Sequence, residues 1–286
     1  MKIGLRMPSM RNMLGDKGVI AWAAEAGLEA IDLLTADQEI AAEVKAKGLT
    51  LGSIDSAGRK GILSPDPNEQ AQGIKEACER IAQIKAVGGS ILFEVFVPAD
   101  PFQPRAKSFA IWKETYPEVV RAAEEHGVKI AVEPWPGPEP TLPNLGTNPE
   151  MLRAMFEAIP SPSFGLCYDP SHFVRLGIDH IRLLEEFKDR VFHVHAKDCQ
   201  IIPEGMYLVG TLGETFGKRY RHGSGSWRYC IPGRGNIDWA EVIFHLAANG
   251  YDGILAIELE DHQFLPEVEK QQRGISQAAA YLAELL

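Results

Sequence analysis

Cysteines are few and irregularly spaced in this sequence. The 286 residues contain four of them, Cys78, Cys167, Cys199 and Cys230, and no two form a Cys-x-x-Cys pair. Such spacing is typical of free thiols in a reducing compartment and argues against a zinc knuckle.

Long apolar runs are also missing. No stretch approaches the ~18 consecutive apolar residues of a membrane span. The first residues, MKIGLRMPSMRN, are typical of a strand and loop and lack the apolar core and cleavage site of a signal peptide. We therefore expect a cytoplasmic protein with no membrane partner.

Positive charge is in short supply. The chain has 29 Lys and Arg against 39 Asp and Glu, a formal net charge of −10. An acidic protein repels the phosphate backbone, so nucleic acid is not an expected partner. One basic stretch, 218–222 (Lys-Arg-Tyr-Arg-His), would by itself give only weak, salt-sensitive binding.

Short apolar segments alternate with stretches of helical apolar spacing along the whole chain. Some helical stretches end on a glycine just before the next strand, as at Gly127 and Gly250. No Gly-x-Gly-x-x-Gly follows the first segment, which argues against a dinucleotide-binding sheet. The pattern predicts an α/β fold, a single (β/α)₈ barrel domain over 1–286. The predicted strands are 2–7, 30–35, 50–56, 90–97, 129–134, 164–170, 191–198 and 254–261.

The longest non-periodic stretch, 199–237, is rich in glycine and aromatic residues. Long loops in compact domains are usually functional or disordered. Because it follows the seventh strand, we expect it over the C-terminal mouth of the barrel, where such enzymes keep their active sites. Its aromatic residues favour a lid or a subunit contact over disorder.

Strand parity selects a set of inward-facing polar residues. Successive side chains of a strand point to opposite faces, so one parity faces the helices and the other the barrel interior. Strands five to eight each direct one carboxylate or imidazole inward near the C-terminal end, namely Glu133, Asp169, His195 and Glu258. The residues predicted to face the helices are Val128, Ile130, Val132, Phe164, Leu166, Tyr168, Phe192, Val194, Ala196, Leu255, Ile257 and Leu259.

Three carboxylates in one pocket repel each other, and a divalent cation resolves this. With one neutral imidazole they leave a site charge of −1, with room for water or two substrate oxygens. The oxygen-rich set favours Mn²⁺ or Mg²⁺, and the histidine also admits Co²⁺ or Zn²⁺. The alternative is that the four residues form separate interior salt bridges with Lys and Arg.

Other polar and aromatic side chains lie around these strand ends, and some of them have two interpretations. His172 suits a hydrogen bond to a substrate oxygen, or is an ordinary loop histidine. Trp135 offers an apolar wall to a sugar, or packs the loop. Lys197 is a candidate for substrate binding or can pair with a carboxylate, and Asp198 can orient a ligand imidazole. His193 is expected to be a buried structural histidine.

The second half of the chain resembles the xylose isomerase-like barrel superfamily of sugar and sugar-phosphate isomerases and epimerases. Together the motifs that carry the resemblance are specific, although each alone is weak. They are Val-Glu-Pro (132–134), Asp-Pro-Ser-His (169–172), His-Val-His-Ala-Lys-Asp (193–198), Pro-Gly-Arg-Gly-Asn-Ile-Asp-Trp (232–239) and Gly-Tyr-Asp-Gly-Ile-Leu-Ala-Ile-Glu (250–258).

The resemblance implies that Glu133, Asp169, His195 and Glu258 bind the metal, with Mn²⁺ first among the candidates. It implies that one of the two glutamates removes a proton beside the carbonyl of a keto-sugar, giving a metal-stabilised enediolate, and that the other returns it. His172 matches a position that contacts substrate oxygen.

A family arginine that follows strand seven has no clear counterpart here, because the chain is longer in this region. Arg228 is our candidate for substrate binding, with Arg221 and Arg234 as alternatives.

The region after strand seven differs from compact ketohexose epimerases. It is similar to a branch with lyases acting on 3-keto-glycosides, including subunits of carbon-linked glycoside deglycosidases. The chain could therefore assemble as a homo-oligomer or with an accessory subunit. The reaction could be an elimination in place of an epimerisation. Two less favoured alternatives are an abasic-DNA endonuclease, which would need a three-metal cluster and a basic groove, and a non-catalytic sugar-binding protein.

Overall fold

A computed structural model describes residues 1–217 and 219–286 of the chain. Lys218, the first residue of the basic stretch, lies outside the described residues. Among the described residues, no helix is long and apolar enough to cross a membrane.

Eight parallel strands of the described chain close into a barrel, which confirms the predicted fold. The order around the barrel is first, eighth, seventh, sixth, fifth, fourth, third and second, so neighbours in sequence are neighbours in space. The barrel strands are β1 (Lys2–Arg6), β2 (Ala30–Leu33), β3 (Thr50–Asp55), β4 (Ile91–Glu94), β5 (Lys129–Val132), β6 (Phe164–Tyr168), β7 (Val191–Ala196) and β10 (Ile254–Ile257). Each strand lies inside its predicted segment and ends before that segment does. The last predicted residues are not paired with a neighbouring barrel strand, because they lie at the mouth of the barrel.

Helices cover the outside of the barrel. The predicted glycine ends hold: the backbone of Gly127 is left-handed with φ 63°, at the C-terminus of the fifth helix. The helices are α1 (Arg11–Glu25), α2 (Gln38–Ala46), α3 (Arg59–Ile62), α4 (Pro67–Ala86), α5 (Arg105–His126), α6 (Pro149–Ala158), α7 (Pro170–Leu176), α8 (His180–Phe187), α9 (Pro203–Val209), α10 (Trp239–Ala248) and α11 (Val268–Ala283). Short 3₁₀ turns lie at Lys188–Arg190 and His262–Phe264.

Two apolar layers follow from strand parity. The outer layer, between strands and helices, includes Ile130, Leu166 and Val194. A separate interior cluster contains Phe93, Val95, Ala131 and Cys167. In β5, β6 and β10, the side chains that face the helices and those that face the interior are therefore the ones that the sequence predicts.

The prediction for Phe192 was wrong. This side chain packs against the interior cluster and does not face the helices. The pairing of β6 with β7 shifts between Leu166–Val191 and Cys167–His193, which leaves Phe192 as an extra residue. Such an irregularity breaks the simple alternation at the start of the strand.

The stretch 199–237 is more regular than its composition indicates. It forms most of an antiparallel hairpin, in which β8 (Asp198–Ile201) pairs with β9 (Trp227–Cys230), and it contains α9. The buried Trp227 and Tyr229 pack with Cys199. We call residues 198–237 the hairpin insertion. Its strand β8 packs against α7, the helix that follows β6.

Candidate metal centre

The structure brings the four parity-selected residues to one point at the mouth of the barrel. Ligand atoms of Glu133, Asp169, His195 and Glu258 all lie within 4.8 Å of one another. His195 Nδ1 is 2.7 Å from Glu133 Oε1 and 3.7 Å from Glu258 Oε2. Three of the four side chains are buried, and that of Glu258 is 17% exposed.

The local fold explains this convergence. Glu133, Asp169 and Glu258 are the first residues after β5, β6 and β10, and His195 is the penultimate residue of β7. The C-terminal ends of parallel barrel strands meet at one face. Each side chain therefore projects inward and upward from a different strand.

Asp169 both starts a helix and faces the centre. It is the N-cap of α7, and Pro170 follows at the first helical position. Its Oδ1 accepts hydrogen bonds from the backbone N–H of Ser171 at 2.9 Å and from the Ser171 hydroxyl at 2.6 Å. Its Oδ2 is left for the centre, 3.4 Å from His172 Nε2.

Lys197 places an ammonium group inside the cluster. Its Nζ donates a short hydrogen bond to Glu258 Oε2 and another to Glu260 Oε2 at 3.0 Å. It also lies 3.1 Å from Asp169 Oδ2. Burial alone would lower the pKa of Lys197, but Asp169, Glu258 and Glu260 raise it well above its ordinary value. The predicted pairing of Lys197 with a carboxylate is therefore present.

The donor set fits a divalent cation. Glu133, Asp169, Glu258 and Glu260 are four carboxylates, and the positive groups beside them are the Lys197 ammonium and the Arg6 guanidinium, so the cluster keeps an excess of negative charge. Burying such an excess is costly without a further cation. Carboxylate oxygens with one imidazole nitrogen suit Mn²⁺, Mg²⁺, Co²⁺ or Zn²⁺.

The two glutamates have opposite pKa shifts. For Glu133, burial raises the pKa, but hydrogen bonds from His172 and His195 hold it well below its ordinary value. For Glu258, burial raises the pKa above its ordinary value, assisted by the nearby Glu133 and opposed by Lys197. Two carboxylates in different environments are a common feature of acid–base sites.

The other predicted site residues divide into two groups. His172 is buried, with Nε2 3.7 Å from Glu133 Oε2 and Nδ1 2.7 Å from the Tyr229 hydroxyl of the hairpin insertion. Trp135 is half-buried against the interior cluster, above β5. Arg228 instead donates to Gln200 and to Asp261, at 2.7 and 3.1 Å.

Neither alternative arginine clearly takes the place of Arg228. Arg234 donates to Gln277 at 2.8 Å. Arg221 lines a cavity of about 170 Å³ beside Glu258, together with Arg6 and His222. The structure thus leaves Arg228 out of contact with the four clustered residues and Arg221 nearer to them.

Two residues that neighbour the cluster, His193 and Asp198, have partners outside it. His193 is buried and its Nε2 is 2.9 Å from Asp32 Oδ2. Asp198 does not orient His195. Its carboxylate instead accepts hydrogen bonds from four backbone N–H groups, those of Cys199, Gly233, Gly235 and Ile237. The hypothesis for Asp198 was therefore wrong, because this carboxylate instead anchors both ends of the hairpin insertion.

Sequence reasoning missed Asp32 and Arg6. Asp32 Oδ2 also lies 3.5 Å from His195 Nε2, behind the ligand cluster. Arg6 Nη2 lies 2.7 Å from Asp55, and Arg6 Nε is 4.0 Å from Glu258 Oε1. The available signal was Asp32 inside the otherwise apolar β2 and Arg6 as the last residue of β1.

The family is shown by a match over most of the chain. The model of the xylose isomerase-like TIM barrel matches residues 20–285. The chain belongs to this family. The resemblance inferred from the motifs is thereby confirmed.

Two curated relatives of this family member match only in part. An uncharacterized protein, YfiH, of Bacillus subtilis (strain 168) is 32% identical over 176 residues, 58% of this chain and 52% of that protein. An inosose dehydratase of Clostridium botulinum (strain Eklund 17B / Type B) is 36% identical over 95 residues, 33% of this chain and 30% of that enzyme. The matches thus span about half of these relatives' length or less.

Solved structures share the fold over nearly the whole chain of this xylose isomerase-like barrel. An L-ribulose 3-epimerase has TM-score 0.71 at 20% identity, covering 100% of this chain and 94% of its own. The 3-keto-D-glucoside 4-epimerase of E. coli has TM-score 0.70 at 16% identity, covering 99% of each. The IolI protein with a bound zinc atom has TM-score 0.70 at 16% identity, covering 100% and 96%.

Proposed function

We propose that this chain is a divalent-metal-dependent sugar isomerase or epimerase, acting on a keto-sugar by proton transfer through Glu133 and Glu258. The observation that carries the proposal is the convergence of Glu133, Asp169, His195 and Glu258 within 4.8 Å. These four residues would hold Mn²⁺, or Mg²⁺, Co²⁺ or Zn²⁺. When bound, such an ion polarises substrate oxygens and acidifies the neighbouring C–H.

The chain's own residues supply the proton chemistry. One of Glu133 and Glu258 accepts the proton from the carbon beside the substrate carbonyl. The electron pair of the broken C–H bond moves toward the carbonyl, so that an enediolate forms. The other glutamate donates a proton to the opposite face or to the neighbouring carbon. Positioned acid–base groups of this kind contribute typically about 10²–10⁴-fold in rate.

Other side chains would bind and orient the sugar. His172 presents Nε2 to the cluster while Tyr229 holds its Nδ1 at 2.7 Å, so the ring is fixed to contact a substrate oxygen. Trp135 offers a half-buried apolar surface beside the interior cluster. Such a surface suits the C–H face of a sugar ring.

Deuterium exchange tests this proposal directly. The protein is loaded with Mn²⁺ and incubated in D₂O with ketohexoses and with inosose, and the products are followed by NMR. We expect solvent deuterium at the carbon beside the carbonyl together with an epimer or isomer of the substrate. Absence of exchange with every substrate of the panel, after loading with Mn²⁺ and separately with Mg²⁺, Co²⁺ and Zn²⁺, would contradict the proposal.

A metal-dependent lyase acting on keto-cyclitols or 3-keto-glycosides is the second candidate. Two observations favour it: the local identity to an inosose dehydratase, and the Lys197 ammonium beside Glu258, which can donate a hydrogen bond to a departing oxygen. Elimination shares the first proton abstraction with epimerisation. A product that has lost water or an alcohol in the same NMR experiment would identify the lyase.

A further inference from the structure

Lys197 is bound to the oxygen atoms that a metal ion would need. Its Nζ donates to Glu258 Oε2 and lies 3.1 Å from Asp169 Oδ2. The side chain is almost fully buried, with 1% exposure. Two of the four proposed metal ligands are therefore already paired with a cation that belongs to the chain.

The same ammonium has a second set of partners outside the ligand set. Glu260 Oε2 accepts a hydrogen bond from it at 3.0 Å, and the ring of Tyr229 lies 4.7 Å away, within the range of a cation–π contact. Glu260 is itself 3.2 Å from His222, and Tyr229 is fixed by Arg175 and His172. Each of these two partners is thus held by contacts other than its contact with Lys197.

A divalent ion and an ammonium group cannot share Glu258 Oε2 and Asp169 Oδ2 without strong repulsion. Two like charges about 4 Å apart repel appreciably even at the effective dielectric constant of a partly buried site. Binding of the metal must then move Lys197, and a buried ammonium needs another anionic partner to move to.

We propose that Lys197 is an internal counter-ion of the metal centre. In the metal-free protein it pairs with Asp169 and Glu258, offsets part of their charge and keeps these ligands in place. When the cation binds, Lys197 withdraws to Glu260 and to the face of Tyr229. The proposal rests on the metal site of the proposed function.

The variant Lys197→Met separates this role from a merely structural one. Without the ammonium, the buried carboxylates of the metal-free protein repel each other, so the Tm in EDTA should fall by several degrees. The affinity for Mn²⁺, measured by isothermal titration calorimetry, should rise by at least about tenfold because a competing charge is gone. A structural residue would move both quantities in the same direction.

Two further variants keep the test decisive. Lys75→Met, at an exposed lysine that pairs with Glu79 at 3.9 Å, is the matched control and should change neither quantity. Lys197→Gln, with a polar side chain, replaces the methionine variant if that protein does not fold. It should show the same opposite changes.

Glu260→Gln tests whether Glu260 is the partner of the Lys197 ammonium when the metal is bound. With Lys197 present, this change should weaken Mn²⁺ binding by about tenfold or more, because the displaced ammonium has lost its partner. Combined with Lys197→Met it should weaken binding much less, so the two effects are not additive. Equal weakening in both backgrounds would overturn the proposal.

The outcomes distinguish this proposal from the one on which it rests. If the wild-type protein binds no divalent cation, the metal site and the counter-ion both fail. If the wild type binds Mn²⁺ and Lys197→Met binds it equally or more weakly, the metal site stands and the counter-ion role is wrong.

Discussion

Single residues in this chain serve both the fold and the site, which is why short motifs are informative here. Asp169 caps α7 with one oxygen and faces the cluster with the other. The spacing in Asp-Pro-Ser-His then places His172 one turn into the same helix, with its ring over Glu133. The cap and the ligand position thus have one geometric origin.

At this scale Glu258→Gln is the sharpest change. The amide keeps the shape but can neither accept the proton nor carry the charge, so turnover should fall by about 10²–10⁴-fold. The rate is measured by deuterium exchange and the fold by circular dichroism. Glu269→Gln, at an exposed position of α11, serves as the control. Wild-type rates in the Glu258 variant would show that the acid–base assignment is wrong.

Gly52 illustrates a steric requirement behind the site. A Cβ at this position would lie 2.1 Å from Asp32 Oδ1, the atom that accepts a hydrogen bond from the backbone N–H of Ser53. Gly52→Ala should lower the free energy of unfolding by about 1–3 kcal/mol in urea denaturation. An unchanged Gly52 variant would mean that Asp32 is free to move.

At the scale of elements, the barrel strands and most of their inward parity were predictable because the strands are short and mostly apolar, and β5, β6 and β10 are each followed by an acidic residue at the mouth. Glu133, Asp169 and Glu258 occupy that position after three different strands. The extra residue at Phe192 was not predictable, since a register shift leaves no mark in the hydrophobic pattern. Pairing partners in the hairpin insertion are separated by up to 32 positions, as Asp198 and Cys230 show, and local patterns do not report such contacts.

The hairpin insertion contributes to the site through Tyr229. Its hydroxyl joins His172 Nδ1 at 2.7 Å and accepts a hydrogen bond from Arg175 at 3.2 Å. Tyr229→Phe should lower kcat/KM about tenfold, because His172 loses the bond that orients its ring. Steady-state kinetics on the substrate found by exchange measure the effect, and the exposed Tyr207→Phe is its control. If the two variants have the same kcat/KM, the insertion has no role in orienting His172.

At the scale of the whole molecule, the four clustered side chains tie together β5, β6, β7 and β10, which are consecutive around the barrel. A cation held by all four should stabilise the folded state as a whole. With free metal at 100 times Kd the gain is about 2.7 kcal/mol. Thermal unfolding should therefore show a higher Tm in Mn²⁺ than in EDTA, and equal values would argue against a site spanning these strands.

The account depends most directly on where a cation binds. Crystals grown with Mn²⁺, with anomalous diffraction collected at the manganese edge, would locate the ion without reference to any substrate. We predict one strong peak, within roughly 2 Å of donor atoms from Glu133, Asp169, His195 and Glu258. A manganese-loaded crystal with no peak there, and with these side chains bonded only to Lys197 and to one another, would contradict it.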